Sequence, residues 1–307
     1  MALRSPLSRP PLRRRELRRR QARRRRLAAL LSLCSALLLA LVLVPWAADK
    51  VRGLGRANPH GARVIDLKIE SDAVGITLHA TVVVPKDAGE HPPLLVFLHG
   101  RGGDHDTFLG DQSMFTALSR LGPRAPVVAF PDGGDHGYWH NRAGARWGDY
   151  VMGEVVPAAA RATGADPKRL AIGGISMGGF GAFDLALKHP GRFCAVGGHS
   201  PALWRSAGET APGAFDDAAD FARNDVIAAA RHGGSAFLGF PLWLDAGNRD
   251  PFQPGDRALV AALRRDGAQL SAHTSWPGGH VGAYWDKHWL AYFRFYTQAL
   301  GACHPSG

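Results

Sequence analysis

The chain has 307 residues, 46% of them apolar, and carries 37 Lys+Arg against 26 Asp+Glu for a net charge of +11. That length and apolar share suit one large domain or two small ones. The charge is local: residues 1–26 hold 12 arginines and one acid, Glu16, while the remainder carries 25 bases and 25 acids. A neutral body offers no polycationic face to a phosphate backbone, which sets nucleic-acid binding aside.

Residues 1–26 read as an Arg-rich cytoplasmic tail. Behind it, LAALLSLCSALLLALVLV at 27–44 is 18 uncharged, mostly apolar residues. A membrane-crossing helix needs about 20 such residues, whereas signal-peptide cores run about 7–15. Residues 27–46 are therefore predicted to be a transmembrane signal anchor or a signal peptide cut near Ala47 or Ala48. The arginines hold the N-terminal side in the cytoplasm, so either reading places the rest of the chain outside it, with the membrane as a partner in the anchored case. A polar linker is expected over 47–62, followed by a domain over 63–300.

Extended segments are predicted at 63–70 and 76–84, and short apolar runs follow at 94–99, 127–131, 170–174, 194–198, 241–246 and 270–276. Helical spacing appears at 147–163, 176–189, 255–266 and 283–299, and FDDAADFARNDVIAAA after residue 202 also reads as helical. Short apolar strands separated by helices imply an α/β fold, a mostly parallel central sheet with helices on both faces. Ligands sit at the carboxyl ends of such strands. Five strand ends fit that rule, being rich in Gly, Asp and His: HGRGGDHD, PDGGDHGYWHN, GISMGG, DAGNRDPF and PGGHVGAYW. Of the body cysteines, Cys194 in RFCAVGG reads as a buried thiol; pairing with Cys303 is open, since nothing in the sequence brings the two together.

Gly174-Ile175-Ser176-Met177-Gly178 matches G-x-S-x-G between a strand and a helix. That turn exposes a nucleophilic serine in a strained conformation and leaves no room for a Cβ two residues to either side. No Gly-Lys-Ser/Thr ending or G-x-G-x-x-G register is present, which removes the phosphate-loop readings. Gly173, Gly179 and Gly181 read as helix-on-sheet packing positions. A serine hydroxyl needs a base, and the base needs a carboxylate. His280 is on a glycine-rich loop after the last strand, whereas His273 falls in that strand and His288 in the next helix. Asp250 is the candidate acid, with Asp245, at the strand end itself, as the alternative.

Two N–H groups are expected to face a developing oxyanion, those of Met177 and of Arg101 in the HGRGG turn, where Gly100 lets the backbone approach a substrate. His99 is expected to brace that turn, and Tyr138 and Trp139 to offer apolar walls to a substrate pocket. His99, Asp104, His105, Asp106, His136 and His140 lack the spacing of a binuclear metal cluster, and H-E-x-x-H is absent, so no metal site is assigned.

Together, LVFLHGRGG, FPDGG, GGISMGGFGA, LDAGNRDPF and GGHVGAYW, in that order over roughly 63–300, resemble the esterase D type of the α/β-hydrolases. That family also contains S-formylglutathione hydrolases, feruloyl esterases and mycolyltransferases. The resemblance implies a Ser–Asp–His mechanism without cofactor on Ser176, Asp250 and His280, with oxyanion donors at Arg101 and Met177. The sequence thus points to an exported serine esterase acting on a carboxylic ester. The alternatives are an acyltransferase using a sugar or glycerol hydroxyl and a catalytically silent envelope-binding protein.

Overall fold

The computed structural model describes residues 57–232 and 237–303. The tail over 1–26, the apolar segment over 27–46 and the first part of the linker lie outside the described residues. Among the described residues no helix is long and apolar enough to cross a membrane. From Asn58 onward the expected linker is tied down: Asn58 N–H donates to Gln112 Oε1 at 2.8 Å, and the His60 ring meets the Thr116 hydroxyl at 3.2 Å.

Eight strands form one sheet: β1 (Arg63–Glu70), β2 (Thr77–Val84), β3 (Pro93–Leu98), β4 (Val127–Pro131), β5 (Asp166–Ile175), β6 (Ala195–His199), β7 (Leu242–Gly247) and β8 (Leu270–Trp276). Their spatial order is β1-β2-β4-β3-β5-β6-β7-β8. β2 runs antiparallel to both its neighbours, and every pairing from β4 to β8 is parallel. This is the α/β-hydrolase arrangement, and the strands fall where the apolar runs predicted them. The apolar runs are continuous because each central strand is covered on both sides.

Alternate residues of β3 divide between the faces. Leu94, Val96 and Leu98 join one cluster with α2 (Val156–Thr163), α3 (Met177–Lys188), α5 (Val226–Arg231) and α6 (Gln253–Arg265). Leu95 and Phe97 join the other, with α1 (Gln112–Ser119) and α7 (Trp289–Ala302). A short helix, α4 (Ala218–Arg223), precedes α5. Each fully buried Leu, Val or Phe contributes about 1.5–3 kcal/mol relative to exposure.

Three details differ from the sequence expectation. α1 had no predicted counterpart; it is nucleated by Asp111, whose carboxylate accepts the Ser113 and Met114 N–H groups at 2.7 and 3.2 Å. The segment predicted as one helix over 147–163 contains a π-helical stretch at Tyr150–Val155. Pro157 lacks the N–H that would close on Gly153, which favours a slipped ladder there. The predicted helix over 283–299 is broken into Gly282–Trp285 and α7, with His288 between them stacked on Trp276 at 3.9 Å.

Cys194 is not a free thiol: it is disulfide-bonded to Cys303 across 109 residues of sequence. The bond joins the start of β6 to the end of α7, a contact that exists only once the sheet has brought the chain's last helix beneath it. Closing a loop of that length restricts the unfolded chain by about 4–5 kcal/mol in the chain-entropy model. Reduction by dithiothreitol is therefore expected to lower the urea midpoint of the intact chain markedly, and Cys194→Ser with Cys303→Ser to reproduce the loss without reductant. An unchanged midpoint in both would show that α7 is held without the crosslink.

Candidate active site

β5 ends at Ile175 and α3 begins at Met177, so Ser176 alone makes the turn, at φ +56° and ψ −114°. A non-glycine residue held there costs about 1–3 kcal/mol unless the surroundings fix it. They do: Ser176 N–H donates to the His199 carbonyl at 3.1 Å, and the Ser176 carbonyl accepts the N–H groups of Ala202 at 2.9 Å and Phe180 at 3.1 Å. A Cβ on Gly178 would lie 2.1 Å from the Leu98 carbonyl oxygen, and one on Gly174 would lie 2.5 Å from the Gly178 carbonyl carbon. Both flanks are therefore sterically restricted to glycine. The other three glycines admit neighbours, as their packing role requires: Tyr296 at Gly173, Pro201 at Gly179 and Trp139 at Gly181.

Ser176, His280 and Asp250 are brought together although they lie on three different loops. His280 Nε2 is 2.8 Å from Ser176 Oγ, and His280 Nδ1 is 2.9 Å from Asp250 Oδ2. An ionised carboxylate only accepts, so Nδ1 carries the hydrogen and the Nε2 lone pair faces the serine hydroxyl. The second Asp250 oxygen accepts the Phe252 N–H at 2.9 Å, which fixes the carboxylate. The acid and base loops are stitched together: Arg249 N–H donates to the Gly278 carbonyl at 2.9 Å, and Gly278 N–H to the Asn248 side chain at 3.1 Å. Phe252 and Trp285 flank the His280 ring at 5.0 and 5.1 Å between centroids. Nearby, burial and then the charges of Asp250 and Asp245 push the Asp256 carboxyl well above the usual carboxylate range.

Asp245, the alternative acid, is turned away from His280. It is completely buried and accepts from His199 Nδ1, Trp243 Nε1 and the hydroxyls of Tyr284 and Tyr292.

The HGRGG turn abuts the serine, since a Cβ on Gly100 would come 3.3 Å from that of Ser176. His99 braces it as expected, with Nδ1–H donating to the Gly100 carbonyl at 2.8 Å and Nε2 accepting Gly133 N–H at 2.9 Å. Burial holds the His99 pKa down, which suits this neutral, two-sided bridge. Met177 opens α3, so its N–H is among those that have no acceptor within the helix. Arg101 lies on the exposed part of the turn.

Trp139 does not wall an open pocket. It is completely buried, its indole N–H donating to the His99 carbonyl at 3.2 Å and its ring filling the space above Gly133 and Gly181. Tyr138 is only 3% exposed and packs against Trp204 and Phe215. The metal-type residues of these loops are engaged separately: His140 with Asp220 at 3.0 Å, and His105 with the Thr81 hydroxyl at 3.0 Å. Among the described residues no three His, Cys, Asp or Glu side chains are grouped to hold a metal ion.

Sequence reasoning missed His199 and the tyrosines around it. The signal was present, because GGHSP is also a strand end, the one between the serine turn and the acid loop. Gly178→Ala tests the turn: the Leu98 carbonyl leaves no space for the methyl, so ester turnover per folded molecule is expected to fall at least about 100-fold for an approximately 1 Å displacement of the serine. Wild-type turnover in a folded Gly178→Ala variant would contradict the steric argument.

A family model described as "Putative esterase" matches residues 71–296. Esterase Rv1288 of Mycobacterium tuberculosis (strain ATCC 25618 / H37Rv) is 29% identical over 212 residues, covering 62% of this chain and 44% of that protein. The chain thus spans less than half the length of the curated relatives it matches, 44% in each case. Among solved structures, a ferulic acid esterase aligns with a TM-score of 0.69 at 18% identity, over 78% of this chain and 99% of the other. An S-formylglutathione hydrolase from Agrobacterium tumefaciens gives 0.69 at 21%, over 78% and 96%. Mycobacterium tuberculosis MPT51 gives 0.63 at 18%, over 78% and 99%. These structural likenesses are of fold, while the family model covers strands β2 to β8 and the loops that carry Ser176, Asp250 and His280. The chain belongs to the Putative esterase family.

Proposed function

We propose that this protein is a serine esterase that hydrolyses a carboxylic ester through an acyl-enzyme. The observation that carries the reading is the unbroken hydrogen-bonded chain from Ser176 Oγ through His280 to Asp250, at a strained strand-to-helix turn. In the first half-reaction Ser176 Oγ attacks the ester carbonyl while His280 Nε2 takes its proton. Asp250 keeps Nδ1 protonated and stabilises the imidazolium. The oxyanion is held by the N–H groups of Met177 and Arg101. Collapse expels the alcohol, which receives the proton from His280. A water then repeats the sequence on the acyl-serine and releases the acid. The reaction needs no cofactor.

The rim beside His280 is apolar, formed by half-buried Phe252 and Trp285 and by Val281, which is 54% exposed. It suits an ester with an apolar acyl or alcohol portion. The same reading places the domain outside the cytoplasm, with residues 27–46 as anchor or signal peptide. The Cys194–Cys303 disulfide supports that placement, because such bonds persist in oxidising compartments.

The intact chain is expected to react with a fluorophosphonate at Ser176 and to hydrolyse p-nitrophenyl esters of graded chain length. Ser176→Ala should abolish labelling and lower turnover on the order of 10⁶-fold. Folded wild-type protein that neither labels nor turns over would remove the enzymatic reading. With glycerol or trehalose present, free acid should remain the main product; a predominance of transfer products would replace hydrolysis by acyl transfer.

A further inference from the structure

The buried carboxylate of Asp245 has a place in the site although it touches neither His280 nor Ser176. We propose that Asp245 is a positioning residue, the shared anchor that holds the Ser176 turn and the His280 loop at their working separation. The proposal rests on the reading of Ser176 and His280 given above.

Two arms leave this carboxylate. On the nucleophile side, Oδ1 accepts His199 Nδ1–H at 2.8 Å, and the His199 main-chain carbonyl accepts the Ser176 N–H at 3.1 Å. The Asp245 main-chain carbonyl accepts Ser200 N–H at 2.6 Å. Ser200, at φ +51°, then bends the chain so that Ala202 N–H reaches the Ser176 carbonyl at 2.9 Å. Both main-chain groups of the serine are thus gripped by a segment that Asp245 secures. The His199 ring is fixed further by the Tyr296 hydroxyl at 2.9 Å and by stacking on Tyr292 at 3.6 Å.

On the base side, Oδ2 accepts the Tyr284 hydroxyl at 2.7 Å. The Tyr284 ring presses on Gly278, two residues before His280, where a Cβ would come within 2.6 Å of it. The Gly278 carbonyl accepts the Arg249 N–H at 2.9 Å, adjacent to Asp250, so the acid loop is registered to the same point. The remaining donors are Trp243 Nε1 at 2.8 Å and Tyr292 at 3.0 Å. A carboxylate has about four acceptor sites, and four side-chain donors occupy them here. Charge-assisted bonds of this kind are strong and directional, which suits a rigid reference point. Asp245 is also opposite His199 in the sheet register, and His199 is opposite Ile175, so the arms start from neighbouring strands.

Tyr284→Phe removes a single oxygen from the base arm, and His199→Gln removes the ring from the nucleophile arm. Because reacting groups displaced by about 1 Å lose about 100-fold in rate, each variant is expected to lower kcat for p-nitrophenyl butyrate about 10- to 100-fold. KM should stay within about threefold, since neither residue faces the substrate. Asp245→Asn should lose at least as much, and adding Tyr284→Phe to it should cost little more, as two changes on one arm are not additive. Rates are taken per active site, counted by complete fluorophosphonate labelling, so that a fall in folded fraction does not register. If labelled wild type is active while both Tyr284→Phe and His199→Gln keep wild-type kcat per site, even with a lowered Tm, Asp245 is purely structural and the proposal is overturned. Fully additive losses in the double variant would overturn the shared anchor. Wild type that neither labels nor turns over removes the underlying reading as well, and so is distinguishable from either result.

Discussion

The carbonyl oxygen of Leu98 governs the upper end of this sheet. It projects from the end of β3 into the space where Gly178 passes, leaving no room for any side chain there. Beside it β5 and α3 are joined by a single residue, Ser176, held at φ +56°. The turn leaves the half-buried Ser176 hydroxyl facing His280. Ser176 sits in the gap between β3 and β6 because neighbouring loops close around its backbone. The strain is local, and the hydrogen bonds from His199 and Ala202 oppose its release.

The remainder of the fold serves to bring distant loops to that turn. Parallel register places Ile175, His199 and Asp245 side by side across three strands. The base arrives on the loop after β8, more than a hundred residues from the serine, so its position depends on the whole right-hand half of the sheet. α7 backs that half, with Tyr292 and Tyr296 reaching the buried Asp245–His199 pair, and the Cys194–Cys303 bond fastens its far end to β6.

Much of this was legible in the chain. Two extended segments and six apolar runs marked the eight strands, the apolar runs because strands covered on both faces carry few polar residues. GISMG identified the serine because its glycines answer a steric demand that leaves no alternative. Asp250 and His280 were legible from their place just beyond strand ends. What the sequence withheld depended on contacts between distant segments. The cysteines gave no sign of their proximity, because only the completed sheet brings Cys303 to Cys194. Trp139 read as an apolar pocket wall because its loop lies at a strand end, yet the glycines at 133 and 181 open a slot that takes in the ring. Asp245 read as the alternative acid at a strand end. Its four donors come from β6, β7, the turn at Gly282–Trp285 and α7, and no local pattern announces such a meeting.

The reading stands or falls on whether the ester carbonyl becomes attached to Ser176. Mixing the full-length chain with p-nitrophenyl dimethylcarbamate, whose carbamoyl-serine hydrolyses slowly, isolates that step. One equivalent of p-nitrophenolate should be released per folded chain, with the dimethylcarbamoyl mass found on the peptide containing Ser176. Release of the phenolate with no adduct, or with the adduct on another residue, would contradict the mechanism.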